Sequence, residues 1–276
     1  MSGDESLAAG GGPSSPALLQ RILTAALLMP LALGSVIFGG RLYAGVIAAM
    51  SVFLIFEWTR MVDGAEFSRG FYILSAAAAV ASYLAADGRA EAALLAALLG
   101  GIAATAAEWP RPNPSSWPGV GAAYIIVPAI AALWLRRDVA NGAFLTMLLF
   151  VCTWGADSAA YFVGKAVGGP KLAPKISPNK TWAGAFGAAG GGGLAALGLA
   201  LLLGEEPVLT YCALGLLLGA AVVIGDITES TFKRRYAVKD TGGAFPGHGG
   251  VLDRLDGFLF AVLALAASVI LMQSGV

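Results

Sequence analysis

Four aspartates stand where an apolar chain would ordinarily carry none. Asp157 lies in Trp154-Gly155-Ala156-Asp157-Ser158, Asp226 lies in Gly225-Asp226-Ile227, and Asp253 and Asp256 open the last apolar run. An ionisable group in a membrane segment costs roughly 3 kcal/mol on insertion scales unless it is paired or hydrated. Two readings follow: structural pairing with nearby Lys or Arg, or a polar site at the membrane rim. Asp226 and Ser230 are four positions apart, and Asp253 and Asp256 three, so each pair shares a face if its segment is helical. Carboxylate oxygens in a water-accessible pocket suit Mg²⁺, which takes one or two carboxylates together with phosphate oxygens. Asp157, Asp226 and Asp253 are the metal candidates. The cysteines, Cys152 and Cys212, sit in apolar stretches without metal-ligand spacing, so zinc is not indicated.

Cations and glycines surround these acids. Segment 229–254 holds Lys233, Arg234, Arg235, Lys239 and Arg254, together with Gly242-Gly243 and Gly247-His248-Gly249-Gly250. A glycine-rich backbone can turn its N–H groups toward an anion, and with five cationic side chains in the same segment phosphate binding is the better reading. His248, the single histidine, is flanked by glycines, which suits contact with a ligand or proton transfer. Segment 165–180 holds Lys165, Lys171, Lys175 and Lys180 and no acid. There Ser177-Pro178 precedes Asn179-Lys180-Thr181 and an apolar run, which predicts a helix capped by Ser177 with Pro178 at its first position. A helix N-terminus beside Lys180 and Thr181 would hold a phosphate.

The elements that must position these residues follow from composition. Of 276 residues, 58% are hydrophobic and 12% charged, and mean hydropathy is +0.77. A soluble domain is about a quarter charged, so the bilayer must be the solvent for most of this chain. The zero net charge gives no indication of a nucleic-acid partner. Nine apolar runs reach spanning length: 21–38, 41–58, 71–86, 90–107, 119–135, 142–164, 181–203, 207–228 and 255–274. Only helices and closed barrels satisfy their backbone in lipid, and barrel-like alternation is absent. The expected fold is therefore an all-α, polytopic membrane helix bundle of about nine transmembrane helices. A polar tail (1–17) reads as disordered, residues 18–140 as N-terminal membrane helices, and residues 141–276 as a C-terminal catalytic membrane region. The positive-inside rule places both basic segments in the cytoplasm and Glu205-Glu206 on the opposite side, although Arg136-Arg137 then falls outside. The small-residue spacing Gly215 to Gly219 suits close helix packing and admits a homodimer contact.

The run STFKRRYAVKDTGGAFPGHGGVLDRLD, Ser230 to Asp256, resembles the signature of the phosphatidate cytidylyltransferase (CDP-diacylglycerol synthase) family. Its fixed positions are Ser230, Lys233, Arg234, Lys239, Asp240, Gly242, Pro246, His248, Gly249, Gly250, Asp253, Arg254 and Asp256. Gly225-Asp226 also fits, as does the stretch from Asp157 through Tyr161 and Gly164-Lys165 to Ser177-Pro178-Asn179-Lys180-Thr181. One departure is Ala183, where the pattern expects an acid before Gly184. The resemblance covers the C-terminal half. It implies transfer of a cytidylyl group from CTP to phosphatidate, with Asp226 and Asp253 as Mg²⁺ ligands and a second cation such as K⁺ nearby. By the same resemblance Lys239, Asp240, His248, Arg254 and Asp256 are catalytic. Ser177, Lys180, Thr181, Ser230, Lys233, Arg234, Gly249 and Gly250 are substrate-binding. The setting is the cell (inner) membrane with the site facing the cytoplasm.

A phosphomonoester has a second pKa of about 6, so the acceptor phosphate is largely dianionic at neutral pH and needs no side-chain base. The task is to bring two polyanions together. A CTP-dependent lipid kinase, another lipid phosphate acceptor, and a cation transporter using Asp157, Asp226 and Asp253 are the competing readings.

Overall fold

The computed structural model describes residues 30–110, 117–242 and 250–275. Among these, eight helices are long and apolar enough to cross a membrane. The chain is a multi-pass membrane protein with the expected all-α architecture. Of the first expected span, 21–38, residues 30–38 are helical (α1) and the remainder lies outside the described residues. Then follow α2 (Gly40–Asp63), α3 (Arg69–Ala86), α4 (Ala90–Glu108) and α5 (Trp117–Gly121). A π-helical turn, Ala122–Ile126, joins α5 to α6 (Val127–Asp138), and the three form one span. The rest are α7 (Gly142–Val167), α8 (Trp182–Leu203), α9 (Val208–Arg235) and α10 (Leu252–Gln273).

Large apolar side chains such as Leu98, Leu202 and Leu209 point outward. Lipid rather than water is the medium that tolerates them, so burial inside the bundle falls largely to small residues and to a few aromatics. Two packed clusters result. One gathers Tyr43, Trp58, Leu74, Ala97, Tyr124 and Ile125 from the N-terminal spans with Val251 and Leu252 of the last. The other gathers Leu148, Cys152, Ala188, Ala196, Leu218 and Leu265 from α7 to α10.

The seam between α8 and α9 depends on absent side chains. A Cβ on Gly192 would stand 2.4 Å from the Gly215 carbonyl oxygen, and one on Gly219 would stand 2.3 Å from the Ala188 oxygen. The Gly215-to-Gly219 spacing is thus used within the bundle, where it lets two backbones touch. The same device joins α9 to α10. A Cβ on Gly225 would stand 2.4 Å from the Asp256 carbonyl oxygen, so the glycine before Asp226 allows the two acid-bearing helices to cross beside their acids.

Helix ends sort the polar residues onto two faces. At one, Arg136 Nε donates to the Val36 carbonyl at 2.6 Å, closing the C-terminus of α1 where Gly39 and Gly40 turn the chain with positive φ. Arg136 therefore has a capping role that the charge-counting reading did not foresee. Asn141 donates to Glu205 at the same face, at 3.3 Å. At the other, Arg234 Nε donates to the Ile176 carbonyl at 3.1 Å, bringing the two basic segments together.

Both segments contain regular structure. Helix α9 continues to Arg235 and α10 begins at Leu252, so residues 229–235 and 252–254 of 229–254 are helical. Within 165–180, β1 (Lys171–Ala173) pairs antiparallel with β2 (Ser177–Thr181), matching Lys171 with Thr181 and Ala173 with Ser177. This corrects the expectation of a cap at Ser177. Ser177 and Pro178 are strand residues, and the cap is Thr181, whose hydroxyl accepts from the Gly184 N–H at 3.1 Å. The hairpin holds Ser177 extended, so the helix starts only where the chain leaves the strand.

Candidate active site

Because α9 remains helical through Arg235, Asp226, Glu229, Ser230 and Lys233 are presented on successive turns. Asp256 sits in the second turn of α10, buried, and its Oδ1 accepts the Gly257 N–H at 2.7 Å. The Gly225 crossing sets the Asp256 backbone against the turn of α9 that carries Asp226. Lys180, at the end of β2, forms an ion pair with Asp226. Asp157, late in α7, lies in the field of Asp226, Lys180 and Arg254. Five residues from four elements thus converge on one patch.

Asp253 occupies a different position. Its Oδ1 accepts from Lys233 Nζ at 2.8 Å, while its Oδ2 accepts the Gly250 and Thr241 N–H groups at 3.2 and 3.3 Å. Lys233 also pairs with Glu229 at 2.6 Å. Lys233 is therefore the internal cation between two acids. Glu229, 1% exposed, keeps its other oxygen, Oε1, without a hydrogen-bond partner among the described residues. Sequence reasoning passed over Glu229. Its signal was present: an acid one turn before Lys233 on the polar face that begins at Asp226.

A second missed acid is Glu57, which is fully buried near the end of α2. It accepts the Val251 N–H at 2.9 Å, the Leu252 N–H at 2.7 Å and the Thr241 hydroxyl at 3.2 Å. Tyr124 is a further buried polar group at the site. The π-helical turn that carries it sets its ring against Phe232 of α9 at 5.3 Å and Phe260 of α10 at 6.3 Å. Its hydroxyl has no hydrogen-bond partner among the described residues.

Of the remaining expected site residues, Ser230 is half-buried on α9, and Arg234 is exposed but tied to the hairpin. Lys239 and Asp240 are exposed beyond the end of α9. Gly250 is buried, and a Cβ there would stand 2.1 Å from Thr241 Oγ1 and 2.7 Å from Asp253 Oδ2. His248 and Gly249 lie outside the described residues. Ala183 is the second residue of α8, whose first turn carries no acid.

A cavity of about 460 Å³ opens beside the cluster. Its polar end is formed by Asp157, Gly250 and Arg254, and its body by apolar side chains including Met50, Leu54, Phe150, Trp154 and Phe258. The arrangement is amphipathic: charges at the membrane rim lead into an apolar interior.

The model of the cytidylyltransferase family matches residues 19–272. The phosphatidate cytidylyltransferase of Pseudomonas aeruginosa is 38% identical over 267 residues, covering 91% of this chain and 96% of that protein. Its counterpart in Brucella suis is 44% identical over 149 residues, 54% of this chain and 55% of that protein. That of Bacillus subtilis is 45% identical over 125 residues, 43% of this chain and 45% of that protein. In these two alignments the chain spans about half the length of its relative. With nearly its whole length matched, the chain belongs to the cytidylyltransferase family.

Proposed function

We propose that the chain transfers the cytidylyl group of CTP to phosphatidate, giving CDP-diacylglycerol and pyrophosphate, at the cytoplasmic face of the cell membrane. The observation that carries this reading is the cavity. An apolar chamber that ends on Asp157, Gly250 and Arg254 suits a lipid whose tails remain in the bilayer while its phosphate meets the charged rim. The Pseudomonas, Brucella and Bacillus relatives carry the name of this activity.

In the reaction a phosphate oxygen of phosphatidate attacks the α-phosphorus of CTP. A new P–O bond forms, the bond from the α-phosphorus to its bridging oxygen breaks, and pyrophosphate leaves with that electron pair. The protein supplies positioning and charge rather than a nucleophile. Lys180 and Arg254 face the acids at the rim and are placed to neutralise phosphate oxygens. Arg234 and Lys239 are exposed on the same side for the triphosphate. Thr181 and the start of α8 offer backbone N–H groups beside Lys180.

The residues fit a divalent cation. Among the described residues no group of three or more acids, cysteines or histidines is arranged to hold a metal. Mg²⁺ does not need three, since substrate phosphates and water complete its shell. Asp226 and Asp256 flank the close crossing of α9 and α10 at Gly225, where a shared cation would offset the repulsion of two carboxylates. These two would hold Mg²⁺, which supplies charge neutralisation on the CTP phosphates. Asp253, the other sequence candidate, has both oxygens engaged by protein donors, so its part is to anchor the signature segment.

The test is pyrophosphate release from CTP by purified protein in Mg²⁺-containing micelles. Release should require phosphatidate and should fall by about a hundredfold or more in Asp226→Asn. Undiminished release by that variant would remove Asp226 from the site.

A further inference from the structure

Glu57 belongs to the second span, far in sequence from every residue of the signature. It is the most buried carboxylate at the site, at 0% exposure. Buried charges persist when hydrogen-bonded, and here three donors among the described residues come from the stretch 241–252. The Val251 and Leu252 N–H groups stand at the start of α10, where backbone donors have no partner inside the helix. A side-chain carboxylate accepts them both and lies at the positive end of the helix. The Thr241 hydroxyl completes the set, so Glu57 grips the signature segment at both sides of residues 242–250.

Neighbouring glycines are shaped to this grip. A Cβ on Gly242 would stand 2.9 Å from Glu57 Oε1, and one on Gly250 would stand 3.0 Å from Glu57 Oε2. The backbone atoms beside the clamp are those that orient Asp253: its Oδ2 accepts from Thr241 N and Gly250 N. Asp253 in turn fixes Lys233. A continuous path of hydrogen bonds therefore runs from α2 through the signature segment to the acid-bearing face of α9.

We infer that Glu57 is a positioning residue, a clamp through which the N-terminal spans set the placement of the signature segment for the reaction. It touches no reacting atom and acts through Thr241, Gly250 and Asp253. Glu57→Gln keeps the size but replaces one accepting oxygen with a donor facing a backbone or hydroxyl donor. The consequence for turnover rests on the proposed function, whereas the clamp itself does not.

Hydrogen exchange and kinetics on the full-length protein in micelles test both. In E57Q the amides of Thr241 and of Gly250 to Leu252 are expected to exchange about tenfold or more faster, the loss of one hydrogen bond to a charged group. Amides in α3 and in the second half of α10 should keep their rates. The KM for CTP should rise about tenfold in the same variant. The comparison is E108Q, which removes another buried carboxylate, one that accepts the Gly70 N–H at 2.9 Å. That variant should leave exchange at residues 241 and 250–252 and the KM for CTP unchanged. Unchanged exchange there in E57Q, or exchange accelerated uniformly through all spans, would overturn the clamp. Faster local exchange with an unaltered KM would overturn its role in the reaction. If the parent protein consumes no CTP while the local exchange responds as expected, the proposed function fails and the clamp stands.

Discussion

Replacing Lys233 with Met removes the cation that pairs with both Glu229 and Asp253, at 2.6 and 2.8 Å. Glu229 is 1% exposed and Asp253 17%, so neither is fully compensated by water. Asp253 retains two backbone donors, whereas Glu229 loses the cation paired with its Oε2. Breaking a buried pair by removing one partner costs about 3–5 kcal/mol. For a chain of this size that corresponds to a fall in melting temperature of roughly 10 °C. Thermal unfolding of the purified protein in detergent reads the change directly. Adding Glu229→Gln to Lys233→Met removes the stranded charge and should recover at least half of the loss. Two results would refute the reasoning. One is a Lys233→Met protein that melts with the parent. The other is a double variant that melts no higher than the single, because the penalty would then not be the charge of Glu229.

Other perturbations probe the supports of the site. Thr181→Val should cost about 1 kcal/mol through loss of the α8 cap, whereas Thr181→Ser should retain it, as measured by melting temperature. Gly219→Val places side-chain atoms against the Ala188 carbonyl and should destabilise the protein by about 1–3 kcal/mol or prevent its accumulation. Gly190→Ala, whose Cβ would meet nothing within 4 Å, should melt with the parent. Gly250→Ala should lower turnover sharply without altering the far ends of the spans, because its Cβ collides with both Thr241 and Asp253. Amide exchange in α8 checks that restriction.

The fold was legible because one rule dominates it. In lipid the backbone must satisfy itself, so run length and apolarity placed Gly142–Val167 and Trp182–Leu203 within a few residues of where the expected spans stood, while Val208–Arg235 runs seven residues past the expected end at 228. The ends were harder to read. Ser177-Pro178 carries a helix-start signal, yet pairing of Lys171 with Thr181 holds it in a strand and moves the cap four residues on. Local propensity lost to a hairpin whose partner strand carries no distinctive pattern. The acids were read by depth and spacing, which singled out Asp157, Asp226, Asp253 and Asp256. The family resemblance pairs Asp226 with Asp253 as Mg²⁺ ligands. The Gly225 crossing sets Asp256 against α9, while Lys233 and two backbone N–H groups engage Asp253. Glu57 escaped notice for a different reason. A single acid at the end of a span resembles any rim residue, and its partners are backbone groups nearly two hundred residues away.

The central claim is transfer of the α-phosphoryl unit of CTP to a lipid phosphate. It is tested most directly with two samples of CTP, one labelled at the α-phosphorus and one at the γ-phosphorus. Each is incubated with purified protein, phosphatidate and Mg²⁺ and then extracted into organic solvent. The account predicts α-label in the lipid phase, matched mole for mole by pyrophosphate, and no γ-label there. γ-Label in the lipid with CDP left in the water would contradict it and identify a kinase instead.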